Sequence, residues 1–588
     1  MRFVPVFPAA LCAALGLAMG PTVALADSPV VIEGGDEDMR EGIIDLLPDR
    51  DRPTTLFEAE RIAEEAAARA IAWLRSEGYY AAEVTPEASD EPPSARLDIR
   101  PGMRFTFAAP EITYADEPPR PEAREAAQRA LAHIQPGAPA RAEAVLAAEA
   151  ETLGALQRNG YADASAGERL VIVDHATTEV RTELRFETNA LIRLGQVRAD
   201  PSDVLRPGFV HDLRNWEYGE IYRPDDLSRL RRDLTSTGAV TRAVTRIQPA
   251  NEDGVSDVVL EIEPAPKNAY ELGLGYSTTE GVGVEAEWTR RNFTGRADSL
   301  TVGTTLSERL QSLSTELSRP HAAGLGRTGN FGIVAAREDT TAFTRQGLAV
   351  YASIDASPRL QVGESYGLRL SADTYDSAAG GGVSDAFVLS GFFETRHDTT
   401  EQRFDPLDGS ITEFRIEPSI STGDATLGFV RFIGEGRTYH SFTDEDRLTL
   451  AARARLGWLE AVSGDVEDVP PDRRFYAGGG GSVRGYDYNS IYPPERDTLG
   501  LTPGGQGLFE GSVEARWRFG DRLGAVAFVD GGNAFDDWSD AGDLRWGVGV
   551  GARYNLGFAP LRVDIAFPLD DDETQDDFAL YISLGQAF

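Results

Sequence analysis

From about residue 267 to the end of the chain, apolar residues return at every second position, and this repeat limits the fold more than any other feature. Tyr270, Leu272, Leu274 and Tyr276 alternate with small or polar residues. Val282, Val284, Ala286 and Trp288 do the same after a turn at Thr279, Glu280 and Gly281. A period of two is the signature of strands, because successive side chains leave a strand on opposite faces. The chemistry of the faces decides what kind of sheet this is. Phe509, Gly511, Val513, Ala515, Trp517 and Phe519 share one face, and Glu510, Ser512, Glu514, Arg516 and Arg518 share the other. Charges of both signs on the enclosed side, with aromatics outside, suit a barrel in lipid. A soluble barrel would bury the apolar face instead. The last strands are expected at 506–519, 523–534, 545–556, 561–569 and 578–588, with a tight turn at 557–560 and a longer loop at 570–577. Roughly 320 residues, at about 20 per strand and connection, predict an antiparallel transmembrane barrel over 268–588 of about 16 strands.

The preceding part is built differently. Helix, glycine and strand recur there roughly every 80 residues, which is enough for one small domain per repeat. Predicted helices over 56–75, 143–157 and 224–234 end at Gly78, Gly160 and Gly238, where a left-handed cap conformation costs glycine little. Alternating strands follow at 95–99, 180–186 and 258–262. The expected organisation is three α+β domains over 29–102, 103–187 and 190–265. In the first, 36–38 and 90–94 read as loops.

Residues 1–26 have the pattern of a secretory signal: Arg2, an apolar run, and Ala24-Leu25-Ala26 before Asp27. The single cysteine, Cys12, falls inside it, so the expected mature chain has neither disulfide nor thiolate metal site. No later stretch offers about 18 consecutive apolar residues, which excludes helical spans. A formal net charge of -38 argues against nucleic acid as a partner, since phosphate binding needs clustered Lys and Arg.

Between two barrel strands, residues 478–488 read GGGGSVRGYDY. The glycines lack the Lys-Ser/Thr ending of a phosphate loop. The six histidines are scattered, and the acids at 570–573 and 576–577 lack calcium-loop spacing, so no metal or cofactor is expected. No Gly-x-Ser-x-Gly elbow presents a nucleophile, and the chain reads as non-enzymatic.

Val483-Arg484-Gly485-Tyr486 resembles the signature lumen loop of a family of outer-membrane assembly barrels. The small domains resemble POTRA domains, and 268–588 resembles a bacterial surface antigen barrel. Asn292-Phe293-Thr294-Gly295, the 403–409 stretch RFDPLDG and the 528–533 stretch FVDGGN stand in the family's order. With three such domains the chain resembles the TamA-type members of the superfamily that also holds BamA and the two-partner secretion transporters. The resemblance implies an outer-membrane protein whose POTRA units lie in the periplasm and which helps insert or secrete autotransporter-like clients. It implies as partners a TamB-like inner-membrane-anchored periplasmic protein, client outer-membrane proteins and outer-membrane lipid. It implies that Arg484 pairs inside the barrel with Glu514 and Asp530, while strand parity adds Asp564 as a third inward acid. Arg473 and Arg496, in the same outer region, are expected to matter less. The barrel is expected to close at a lateral seam between strands carrying Tyr270, Gly273 and Gly275 on one side and Gly585 and Phe588 on the other. A terminal Phe588 resembles the insertion signal of such barrels. The alternative is a secretion pore that exports one dedicated partner through its lumen.

Overall fold

A computed structural model describes residues 29–588 apart from 360, 378–382, 403–404, 443–446, 558, 571–575, 585 and 587–588. The predicted signal at 1–26, with Cys12, lies outside the described residues. So do Arg403 and Phe404 of the RFDPLDG stretch, three of the acids in the 570–577 loop, Gly585 and Phe588. The chain forms two compact units. The first runs to Leu194 and takes in Gly219–Pro224 and Glu252–Val255, and the second holds Gly195–Tyr218, Asp225–Asn251 and everything from Ser256 onward.

Three small sheets precede the barrel. In the first, Pro93–Arg100 lies between Val30–Gly34 and Glu83–Asp90. The helix Leu56–Ser76 buries Ile62, Ala63, Ala66, Ala70 and Leu74, the spacing of a one-faced helix. In the second sheet Glu179–Glu187 is central, and Val180, Thr182, Leu184 and Phe186 are buried in strict alternation. The third has the order Glu220–Ile221, Arg193–Asp200, Ser256–Pro264, Val240–Ile247. Gly78, Gly160 and Gly238 all have positive φ, as helix-ending glycines should.

Two stretches expected as loops are regular structure. Asp36 caps a helix over Glu37–Ile44, its carboxylate accepting from Met39 N–H at 2.8 Å, and Met39 and Ile43 fill the core below it. Asp90 pairs with Pro93 and Ser89 with Ser94, so only Glu91 and Pro92 turn. A short acidic helix and a two-residue hairpin turn both look polar and aperiodic in sequence, which is why 36–38 and 90–94 read as loops.

The second unit contains a closed antiparallel barrel of sixteen strands, each paired with its sequence neighbour, from Asn268–Ser277 to Ala579–Leu584. Apolar side chains such as Leu272, Phe331, Leu368, Phe387, Leu456 and Trp517 are exposed on the outer wall. Charged ones, including Glu417, Glu510, Glu514, Arg516 and Asp564, are buried inside. This is the reverse of a soluble protein and fits a hydrocarbon surround. No described helix is long and apolar enough to cross a membrane. The connection that follows Arg193–Asp200 is bonded to a barrel turn within this unit, Arg206 N–H donating to the Gly295 carbonyl and Asn292 Nδ2 to the Val204 carbonyl, each at 2.7 Å.

Of the last strand expected at 578–588, Ala579–Leu584 is strand, while 585 and 587–588 lie outside the described residues. The Gln586 amide hydrogen-bonds to Arg553 on the fourteenth strand (Arg545–Asn555) and to Asp405 in the turn before the ninth strand (Gly409–Gly423).

Candidate functional site, the lumen loop and the seam

The segment between the eleventh strand (Leu448–Ser463) and the twelfth (Gly507–Phe519) folds into the barrel. Its Phe475, Ala477, Val483 and Tyr486 join a buried apolar cluster with Phe343, Tyr375, Val388, Phe429, Leu508 and Ala534 of the wall. Fully burying a side chain such as Val483 contributes about 2 kcal/mol, so apolar packing delivers the loop to the wall before any ion pair is counted.

Arg484 is the polar end of this plug and is 2 % exposed. Its Nε and Nη2 donate to Asp530 at 2.6 and 2.8 Å, in the bidentate geometry that matches guanidinium to carboxylate. Nη1 donates to Glu514 at 2.6 Å and, more weakly, to Asp564 at 3.4 Å. The Arg484 backbone N–H reaches Asp530 at 3.2 Å. The guanidinium carbon also lies 3.4 Å from the centroid of the Phe528 ring, a cation–π contact. Glu514, Asp530 and Asp564 stand on the twelfth, thirteenth (Leu523–Phe535) and fifteenth (Pro560–Pro568) strands, with almost no exposure. Their outward neighbours Val513, Val529 and Ile565 are exposed. Period-two alternation thus sets all three acids on the inner wall.

Further arginines share the charge. Arg516 donates to Glu514 at 2.9 Å, and Arg562 to Asp564 at 2.5 Å, where Arg553 also binds. Asp530 differs: among the described residues Arg484 is its only cationic partner, helped by the Ser512 hydroxyl at 2.5 Å. Two glycines make the close approach possible. A Cβ on Gly547 would sit 2.0 Å from the Arg484 carbonyl oxygen. Gly485 has φ +105, and a Cβ there would lie 2.9 Å from Pro568 N. Tyr486 completes the motif by donating its hydroxyl to Asp570 at 2.6 Å.

The seam lies under the same loop. The first strand makes ten residue pairs with the second (Gly281–Arg291), and the last makes six with the fifteenth. Among the described residues, first and last share two, Tyr276 with Ile582 and Ser277 with Tyr581, followed by Thr278 N–H donating to the Leu580 carbonyl at 3.0 Å. Tyr270, Gly273 and Gly275 have second-strand partners and, among the described residues, none on the last strand. Both sides of the seam hold the loop: Glu280, in the turn after the first strand, accepts from Gly480 N–H at 2.9 Å, and the Tyr581 hydroxyl of the last strand accepts from Gly485 N–H at 3.1 Å.

Arg473 and Arg496, in the same outer region, are buried like Arg484. Arg473 donates to Glu417 and to the Ser371 hydroxyl, both at 3.1 Å. Adjacent Asp472 accepts from Arg345 at 3.0 Å and from the Tyr375 hydroxyl at 2.6 Å, on the sixth (Phe343–Arg359) and seventh (Val362–Ser377) strands. Arg496 donates to Glu467 and Asp536 at 2.7 Å each. The loop is therefore fastened to two stretches of wall, one at Arg484 and another at Asp472 and Arg473. Sequence reasoning missed the second; its available signal was Asp472-Arg473-Arg474, a charged run directly before Phe475.

A family model for the Omp85 superfamily domain matches residues 292–588. The outer membrane protein assembly factor BamA of Nitratidesulfovibrio vulgaris is 25% identical over 451 residues, covering 73% of this chain and 54% of that protein. The chain thus spans about half the length of this curated relative. Among solved structures, BamA from Haemophilus ducreyi lacking POTRA domains 1-3 aligns over 82% of this chain and 100% of its own, with TM-score 0.64 at 15% identity. CdiB from Escherichia coli aligns over 94% and 98%, with TM-score 0.46 at 15% identity. With its charged interior, its apolar outer wall and its α+β domains resembling POTRA domains, this chain belongs to the Omp85 superfamily of outer-membrane β-barrels.

Proposed function

We propose that this protein is a non-enzymatic assembly and translocation factor of TamA type, which inserts or secretes autotransporter-like client proteins through its lateral seam. The observation that carries this reading is the seam itself: among the described residues two pairs close the barrel where the next joint has ten. A backbone group freed in lipid finds no replacement partner, so a joint with fewer backbone pairs to give up costs less to open than the next one. The freed edge of the first strand offers unpaired N–H and C=O groups, on which an extended client strand can pair before it leaves sideways into lipid. The POTRA-like domains, each built on a sheet with free edges, would receive clients and a TamB-like periplasmic partner in the same way.

The test is a seam lock. Tyr276→Cys with Ile582→Cys introduces a disulfide across the seam, between residues paired with each other there. In vesicles of outer-membrane lipid, an unfolded autotransporter-like client should insert when the pair is reduced and stop inserting when it is oxidised. The other reading, export of a dedicated partner through the lumen, requires transport to continue with the seam oxidised.

A further inference from the structure

Charge is sorted by face where the chain enters the barrel, at the periplasmic end of its first five strands. Glu271 and Glu287 of the first two strands and Glu316 of the fourth (Leu310–Arg319) have the parity that faces the lumen. Three arginines have the other parity. Arg290 pairs with Leu300 of the third strand (Ser299–Leu306), which pairs with Leu317, and it shares the outer face of Trp288 and the exposed Tyr270. Arg319 stands two residues beyond Leu317 on that face. Arg327, at the start of the fifth strand (Arg327–Asp339), lies four residues before the exposed Phe331. Arg319 pairs with Gly329, so at the usual strand spacing its backbone lies within about 10 Å of Arg327, and Arg290 follows two strands away.

Inward arginines such as Arg415, Arg437 and Arg453 are each bridged to a glutamate. Arg290, Arg319 and Arg327 have no acidic partner among the described residues. Glu364, the outward acid in the row of Arg327, lies two strands farther on. Outward arginines are costly at the centre of a bilayer and nearly free of cost at its interface. Tyr270, Trp288 and Phe331 lie on the membrane side of them, as an aromatic girdle at headgroup level does. Arg319 and Arg327 also bracket the turn in which His321 is bonded to the Asp233 carbonyl at 3.2 Å, and Arg290 precedes the turn bonded to Val204 and Arg206.

We propose that Arg290, Arg319 and Arg327 bind the headgroups of acidic phospholipids in the periplasmic leaflet. A guanidinium fits a phosphate as a two-pronged donor, and its aliphatic stem can lie along the apolar wall while the charged head stays at the polar surface. Lipid is favoured over a protein segment because the same face carries Leu317, Trp288 and Tyr270, which hydrocarbon covers. An acidic headgroup is favoured over a zwitterionic one, which brings its own cation to its phosphate. On a chain of formal net charge -38, such an unpaired basic belt is a local reversal of sign. The site stands whether or not the seam opens.

The test titrates the purified full-length chain in neutral detergent with phosphatidylglycerol or phosphatidylcholine and counts bound lipid by native mass spectrometry. The unsubstituted chain should bind phosphatidylglycerol severalfold more tightly. Arg319→Gln should weaken that binding about fivefold, the effect of one surface cation. Arg290→Gln, Arg319→Gln and Arg327→Gln together should abolish the preference, whereas Lys at the same three positions should keep it. The single variant serves if the triple one is not a heat-modifiable barrel. Arg522→Gln, in the turn between the twelfth and thirteenth strands, should change nothing, and sodium phosphate should not displace the lipid. No preference in the unsubstituted chain, unchanged affinity in Arg319→Gln, or an equal loss in Arg522→Gln would overturn the assignment. Displacement by sodium phosphate would overturn it in favour of a free anion, and binding of polyglutamate without a lipid preference in favour of an acidic protein segment.

Discussion

Two joints of one barrel behave as opposites. Between the twelfth and thirteenth strands thirteen residue pairs run unbroken, from Gly507–Phe535 to Phe519–Leu523, and Arg484 is docked across that joint on Glu514 and Asp530. Between the first and last strands two pairs are formed among the described residues, and the loop is hydrogen-bonded to that joint through Gly480 N–H on Glu280 and Gly485 N–H on Tyr581. The difference teaches where a closed barrel can store an opening. Every interior joint must keep its pairing, because lipid cannot satisfy a freed backbone group. The joint between chain ends needs only enough contact to close, and the loop bridges what pairing does not.

Breaking the strong joint should have the largest effect. Arg484→Ala leaves Asp530 buried without a cation, whereas Glu514 keeps Arg516 and Asp564 keeps Arg553 and Arg562. The expected loss is about 3–5 kcal/mol, measured by thermal or denaturant unfolding in detergent. Adding Asp530→Asn should restore part of it, and a double-mutant cycle should give stronger coupling to Asp530 than to Glu514. Equal coupling to both acids would contradict the charge sharing described here.

Asp472→Ala tests whether the loop has a second fastening. It strips Arg345 and Arg473 of their shared acid, though Glu417 still serves Arg473, so a loss of about 2–4 kcal/mol is expected. If Asp472→Ala were silent, Arg484 alone would hold the loop. On the weak side, Tyr581→Phe removes one hydrogen bond to Gly485 N–H and should cost about 1 kcal/mol, while increasing cross-linking of the loop to probes outside the barrel.

How much of this was legible in the sequence follows from which interactions have a period. Glu514, Asp530 and Asp564 sit between apolar neighbours on strands, so alternation alone turned them inward. The Val-Arg-Gly-Tyr stretch then pointed to their cation by resemblance, without giving the bidentate geometry. Arg473 and Arg496 lie in the loop, where no repeat says which residues are buried, and their partners Glu417 and Asp536 are brought near only by barrel closure. The Gln586–Asp405 contact joins residues 181 positions apart, beyond the reach of any pattern. Even so, Phe578, Leu580, Ile582, Leu584 and Phe588 share one parity in the sequence, and Gln586 is the polar exception in it.

The smallest expected effect lies outside the membrane and sets the scale for the rest. Burial would raise the pKa of Asp116, but hydrogen bonds from the Thr188 N–H and hydroxyl and from Asn189 N–H hold it below the usual carboxylate range. A lowered folded-state pKa means that its stabilisation is fully present above the unfolded value near 4 and disappears as the pH falls through the folded one. Asp116→Ala should therefore lower the melting temperature of the second domain slightly at neutral pH and make no difference in strong acid. A difference that persists in acid would mean that the loop it caps is held in some other way.

The central claim is that the joint between first and last strands is poised to open while the joint between twelfth and thirteenth is locked, and amide hydrogen exchange in lipid nanodiscs tests it most directly. The amides of Tyr276–Thr278 and Leu580–Ile582 should exchange much faster than those of Ser512–Glu514 and Phe528–Asp530, because the short joint opens locally and the arginine-clasped one does not. Equal protection of the two sets would contradict the account.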